Sequence, residues 1–106
     1  MGRATAIDGV VEVFASRLGK RYRVRRLILF GSRAEGRADD WSDYDFVVVS
    51  PEFEGVPFIK RLPDLYQLWD ARVGIDILCY TPAEFEQLVS QATLVQEAAR
   101  TGVRVV

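Results

Sequence analysis

The run Leu27-Ile28-Leu29-Phe30 followed by Gly31 constrains the chain most: it is too short and too apolar to be an amphipathic helix, and it stops at a glycine. That is the pattern of a buried strand ending in a turn. A second run, Asp43-Tyr44-Asp45-Phe46-Val47-Val48-Val49, is rich in aromatic and β-branched residues and is closed by Ser50-Pro51. A third, from Ile75 to Tyr80, opens after Gly74. The intervals between these runs repeat apolar residues at helical spacing, so helices and strands alternate. This predicts an α/β (α+β) fold in which a small mixed β-sheet is flanked by helices. A chain of 106 residues can bury one modest core but not two, so residues 1–106 are expected to form a single domain.

The helical intervals carry their own punctuation. Ile7, Val10, Val11, Phe14 and Leu18 share one helix face, with Gly19 placed where a left-handed cap would end the helix. Phe58, Leu62, Leu65, Tyr66 and Trp69 form a second stripe, in which Pro63 is read as the start of the continuous helix. Tyr66 and Trp69 are expected in the core. Thr81-Pro82-Ala83-Glu84 combines an N-cap threonine, a proline at the first helical position and a glutamate at the third, which is a capping box. Phe85, Leu88, Val89 and Ala92 then face the core. Thr93 and Gln96 cap a further short helix, and Gly102 precedes a terminal strand over residues 103–106.

Composition removes whole classes of chemistry. There is no histidine, so the usual general base and the commonest zinc ligand are both missing, and acid-base or metal chemistry must rest on carboxylates. The single cysteine, Cys79, excludes an internal disulfide and reads as a small core residue, as expected of a cytoplasmic chain. A formal net charge of -1 does not suit direct nucleic-acid binding. No apolar stretch approaches the roughly 20 residues that cross a bilayer, and residues 1–6 do not complete a myristoylation signal, so neither membrane association nor targeting is expected. The basic residues of 20–26 are offset elsewhere and read as a solvated edge.

Gly31-Ser32-Arg33-Ala34-Glu35-Gly36 and Ser42-Asp43-Tyr44-Asp45 carry the parts of a phosphate-and-metal site. Side chains alternate along a strand, so Asp43 and Asp45 share a face and can grip one hard cation such as Mg²⁺, while Tyr44 points away. Gly31 allows close backbone approach, a turn running into a helix aims free N–H groups at phosphate, and Ser32 adds a hydroxyl. Arg33 and Arg37 lie within reach of a triphosphate. Asp76, early in the third strand, can stand beside the first two carboxylates as a further ligand or as the proton acceptor. Glu35, Asp39 and Asp40 read as solvated loop carboxylates, and Trp41 fits either a base-stacking or a partner-facing role.

This arrangement resembles the minimal nucleotidyltransferase family of the DNA polymerase β superfamily, whose hallmark is Gly-Ser, a spacer, Asp-x-Asp and a third carboxylate on a later strand. Gly31-Ser32, Asp43-Tyr44-Asp45 and Asp76 match in order, and the likeness covers nearly the whole chain. The resemblance implies a nucleotidyltransferase fold over 1–106 and an enzyme using Mg²⁺ with ATP or another nucleoside triphosphate. In it Asp43, Asp45 and Asp76 would be the catalytic and metal-binding residues, and Gly31, Ser32 and Arg33 the nucleotide-binding ones. A lone small domain is similar to the antitoxin half of toxin-antitoxin pairs, which implies a HEPN-domain ribonuclease as partner and AMP acceptor. Two rivals stand beside this: a partner-binding module with an idle nucleotide site, and transfer to a small molecule, which normally needs an extra acceptor domain. A homodimer is compatible with so small a core. Acceptor and nucleotide preference lie in surfaces that the motif does not encode.

Overall fold

The computed structural model describes residues 7–91 and 93–106. The N-terminal expectations on residues 1–6 and the core-facing position assigned to Ala92 fall outside them. Helix α1 (Gly9–Arg21) leads into strand β1 (Arg26–Phe30), the single-turn helix α2 (Ser32–Glu35) and strand β2 (Tyr44–Val49). A 3-10 turn (Pro51–Phe53), helix α3 (Phe58–Tyr66) and strand β3 (Ile75–Tyr80) follow, then α4 (Pro82–Val89), α5 (Leu94–Thr101) and the short strand β4 (Val103–Arg104).

The four strands form one mixed sheet in the order β3-β2-β1-β4. β1 is antiparallel to both β2 and β4, whereas β2 and β3 run parallel, joined by the α3 crossover. Both faces of the sheet are covered, which is why β2 reads as an almost unbroken apolar run. On one face Leu27, Leu29, Tyr44, Phe46, Val48, Ile77 and Cys79 pack against Val11, Phe14 and Leu18 of α1 and Leu65 of α3. On the other, Ile28, Val47 and Val49 meet Phe85 of α4 and Val95 and Ala98 of α5. Phe14, Phe46, Tyr44 and Trp69 form an aromatic cluster within the first layer.

Several expectations are corrected. α1 runs through Gly19 to a cap at Tyr22, because Gly19 adopts no positive φ and the basic Lys20 and Arg21 suit the negative end of the helix dipole. Its N-cap is Asp8, which accepts from the Val11 amide. Pro63 lies inside α3 and does not begin it. The carbonyl that its missing N–H strands belongs to Ile59, an exposed residue whose backbone water can serve. Tyr66 is exposed and not in the core, because α3 ends there and Trp69, beyond it, takes the inner position. The terminal strand is limited to Val103–Arg104. The capping box at Thr81 forms with both of its hydrogen bonds, and Thr93 caps α5 through Gln96. Cys79 is fully buried, and burial pushes its thiol up to about 11, as befits a core residue.

Candidate active site

β1 and β2 run in opposite directions, so the C-terminal end of β1 and the start of β2 meet at one end of the sheet, where Phe30 pairs with Asp45. β3 runs parallel to β2 and brings Asp76 directly opposite Asp45. Residues on alternate strand positions share a face, so Asp45 and Asp76 project on the same side as Val47, Val49 and Leu78. Tyr44, between the aspartates, is buried on the opposite side against Phe46 and Trp69. Tyr44 and Asp45 thus point to opposite faces, while Asp43 lies just before β2 with its carboxylate beside Gly74.

Two glycines make the approach of these carboxylates possible. Gly31 holds φ 75° and ψ -157°, a region that residues with a Cβ scarcely enter, and a Cβ there would overlap the Asp45 carboxylate. Gly74 plays the same part for Asp43: a Cβ on it would stand 2.5 Å from Asp43 Oδ1. In the sequence Gly74 reads only as a strand opener. The same turn at Gly31 is the N-cap of α2, whose first amides, starting at Ser32, have no partner within the helix.

The electrostatics follow from this crowding. The Asp45 carboxyl is pushed above its usual range, first by burial and then by the charges of Asp76 and Asp43. Asp43 and Asp76 are exposed, Asp45 half-buried. Among the described residues no group of three or more histidine, cysteine, aspartate or glutamate side chains is gathered tightly enough to hold a metal ion by itself. The donor set nevertheless fits magnesium, which ordinarily takes a few carboxylate oxygens and completes its shell with water and phosphate oxygens.

The guanidinium of Arg33 faces the loop that leads into β2. Its Nε and Nη2 donate to the Ser42 carbonyl at 3.1 and 2.8 Å, Nη2 also reaches the Asp40 carbonyl at 3.5 Å, and Cζ lies 4.1 Å over the Tyr44 ring. The Tyr44 hydroxyl donates to Asp8 Oδ2 at 2.6 Å. Burial, with help from Asp8, pushes that hydroxyl up to about 12, so it stays a donor. Asp8 gave no functional signal in sequence beyond its place before a helical run. Arg37 pairs with Glu35 at the surface, and Asp39 accepts from the Trp41 amide and the Ser42 hydroxyl, which lowers its pKa. Trp41 is 78% exposed in the loop before β2.

The model of the nucleotidyltransferase domain family matches residues 11–102. The protein adenylyltransferase MntA of Thermococcus cleftensis is 27% identical over 98 residues, spanning 92% of this chain and 87% of that protein. A crystal structure of a candidate nucleotidyltransferase from Sulfolobus solfataricus superposes with a TM-score of 0.60 at 16% identity, covering 82% of this chain and 80% of that one. BolA1 of Arabidopsis thaliana also gives a TM-score of 0.60, at 25% identity, over 74% of this chain and 98% of that one. Since that likeness extends to a protein of another name, fold likeness alone does not select a chemistry; the site must.

Proposed function

The chain belongs to the nucleotidyltransferase domain family, and we propose that it moves a nucleoside monophosphate, AMP from ATP, onto a hydroxyl of a partner protein. The observation that carries this reading is the pairing of Asp45 with Asp76 beside Gly31, in a position where burial and neighbouring carboxylates raise the Asp45 pKa. Such a site gains most from a bound divalent cation. Mg²⁺, when bound, supplies charge neutralisation for the phosphates and for the developing transition state.

In this reading Asp43 and Asp45 hold the metal, and Asp76 completes the set as ligand or base. The backbone at the Gly31 cap and the first amides of α2, starting at Ser32, receive the triphosphate, with the Ser32 hydroxyl as an added donor. Arg33 contributes through the loop it holds, since its guanidinium is engaged by the Ser42 carbonyl. The acceptor oxygen bonds to the α-phosphorus, the bond to the β-phosphate bridging oxygen breaks, pyrophosphate leaves, and the acceptor proton passes to Asp76. Similarity to an enzyme named as a protein adenylyltransferase supports a protein acceptor. A HEPN-domain ribonuclease neutralised by this modification, with the chain acting as antitoxin in the cytoplasm, is the partner that fits the family resemblance.

The test is transfer of label from α-labelled ATP to a co-expressed HEPN-domain partner, with γ-labelled ATP in parallel. Label from the α position only, lost in Asp43→Asn, is expected. Label from the γ position would mean phosphorylation; no label with tight complex formation would favour a contact-only module.

A further inference from the structure

We propose that Arg33 is a positioning residue of the transfer site: it braces residues 42–45 through the Ser42 carbonyl and the Tyr44 ring, so that Asp43 and Asp45 meet the metal together. This rests on the reading of those aspartates as the metal-holding pair.

Two aspartates at alternate strand positions share a cation only if the backbone between and before them is fixed. The loop entering β2 is closed on itself by Asp39, whose Oδ1 accepts from the Trp41 amide at 2.9 Å and from the Ser42 hydroxyl at 3.2 Å. Those bonds tie the turn to nothing else. Among the described residues, the side-chain hydrogen bonds joining residues 39–43 to the rest of the fold come from Arg33, at 3.1 and 2.8 Å to the Ser42 carbonyl and 3.5 Å to that of Asp40. Ser42 immediately precedes Asp43. The guanidinium plane also covers Tyr44, the residue between the two aspartates, with Cζ 4.1 Å from the ring centroid. Tyr44 is anchored in turn by its 2.6 Å hydrogen bond to Asp8, the cap of α1. A continuous series of contacts thus links α1, β2, α2 and the loop on either side of the metal-holding pair.

An arginine suits this task because its planar fork places two donors on one carbonyl while its face lies on an aromatic ring; a lysine ammonium cannot do both. Groups that orient metal ligands in this way typically change metal affinity 10–100-fold when removed. A direct phosphate ligand would behave differently, since its loss weakens nucleotide binding at every metal concentration.

The experiment compares Arg33→Gln and Arg33→Lys with the unaltered chain in two measurements. In the metal-free protein, amide exchange at Trp41 and Ser42 is expected to quicken about tenfold or more in Arg33→Gln, since hydrogen bonds to charged groups contribute enough to hold the loop closed by that factor. In ATP titrations over a series of Mg²⁺ concentrations, the half-saturating Mg²⁺ concentration is expected to rise about tenfold or more in Arg33→Gln, with ATP affinity recovered at saturating Mg²⁺ and Lys restoring only part. Lost affinity that persists at saturating Mg²⁺ and deepens from AMP to ADP to ATP would show direct phosphate contact and overturn the proposal, as would unchanged exchange in the loop. If the unaltered chain bound no ATP with Mg²⁺, the reading of the site itself would fall. The exchange data, which need no metal, would then leave Arg33 a residue of the fold only.

Discussion

At Asp45 burial raises the carboxyl pKa first, and the carboxylates of Asp76 and Asp43 raise it further, so the metal-free fold resists the charge that a metal ligand must carry. A raised carboxylate pKa favours the protonated form in the folded chain. Its contribution to stability is therefore fully present below the ordinary aspartate value of about 4 and is lost as pH rises through the higher folded value. Asp45→Asn removes this cost. In chelator at neutral pH it is expected to be more stable than the unaltered chain by no more than about 1 kcal/mol once solvent screening is allowed for, and the difference should close as pH falls below about 4. Paired thermal melts across pH check this; an Asn variant less stable at every pH would contradict it. Gly31→Ala makes the opposite prediction. Its backbone lies where only glycine is at ease, and the new methyl meets the Asp45 carboxylate, so a loss of roughly 1–3 kcal/mol is expected together with loss of nucleotide binding.

Among the elements, α3 and α4 are joined by a part-buried ion pair. Arg61, 6% exposed on α3, donates through Nη1 and Nη2 to both carboxylate oxygens of Glu84, at 2.6 and 3.2 Å, and through Nε to the Val56 carbonyl. Glu84 also completes the capping box by accepting from the Thr81 amide at 2.8 Å. Its pKa is lowered, chiefly by the bond from Arg61, so its contribution is present above the unfolded value and lost as pH falls through the folded one. Glu84→Gln is expected to cost about 1–3 kcal/mol at neutral pH, nearer the low end because Glu84 is partly exposed, and much less in acid; denaturant melts at two pH values decide it. The capping box itself was legible in Thr81-Pro82-Ala83-Glu84 because capping is local chemistry. The Arg61 contact was not, since a buried arginine looks like any other until two elements pack. The same holds for Gly19 and Pro63: a helix passes through either residue when side chains elsewhere on it are held in the core.

For the whole molecule, the alternating apolar runs were enough to show the strands and the layers, because both faces of the sheet are buried and leave long hydrophobic signatures. Asp45 and Asp76 stand out in sequence for a related reason: each interrupts a strand that is otherwise apolar, and Asp43 directly precedes β2. The direction of Arg33 and the parts of Asp8 and Gly74 were hidden, because each depends on which strand lies beside which. So small a domain has little stability to spare: Phe46, fully buried against Phe14 and Trp69, is expected to cost about 3–5 kcal/mol on replacement by alanine, a large part of the 5–15 kcal/mol typical of folded domains. Circular dichroism melts of Phe46→Ala check this. The most direct test of the site is a calorimetric titration of ATP into the chain with Mg²⁺, then with chelator, and then in Asp45→Asn. Binding that needs Mg²⁺ and is lost in the variant is the expected result; binding that survives both chelator and substitution would contradict a metal-nucleotide site at these aspartates.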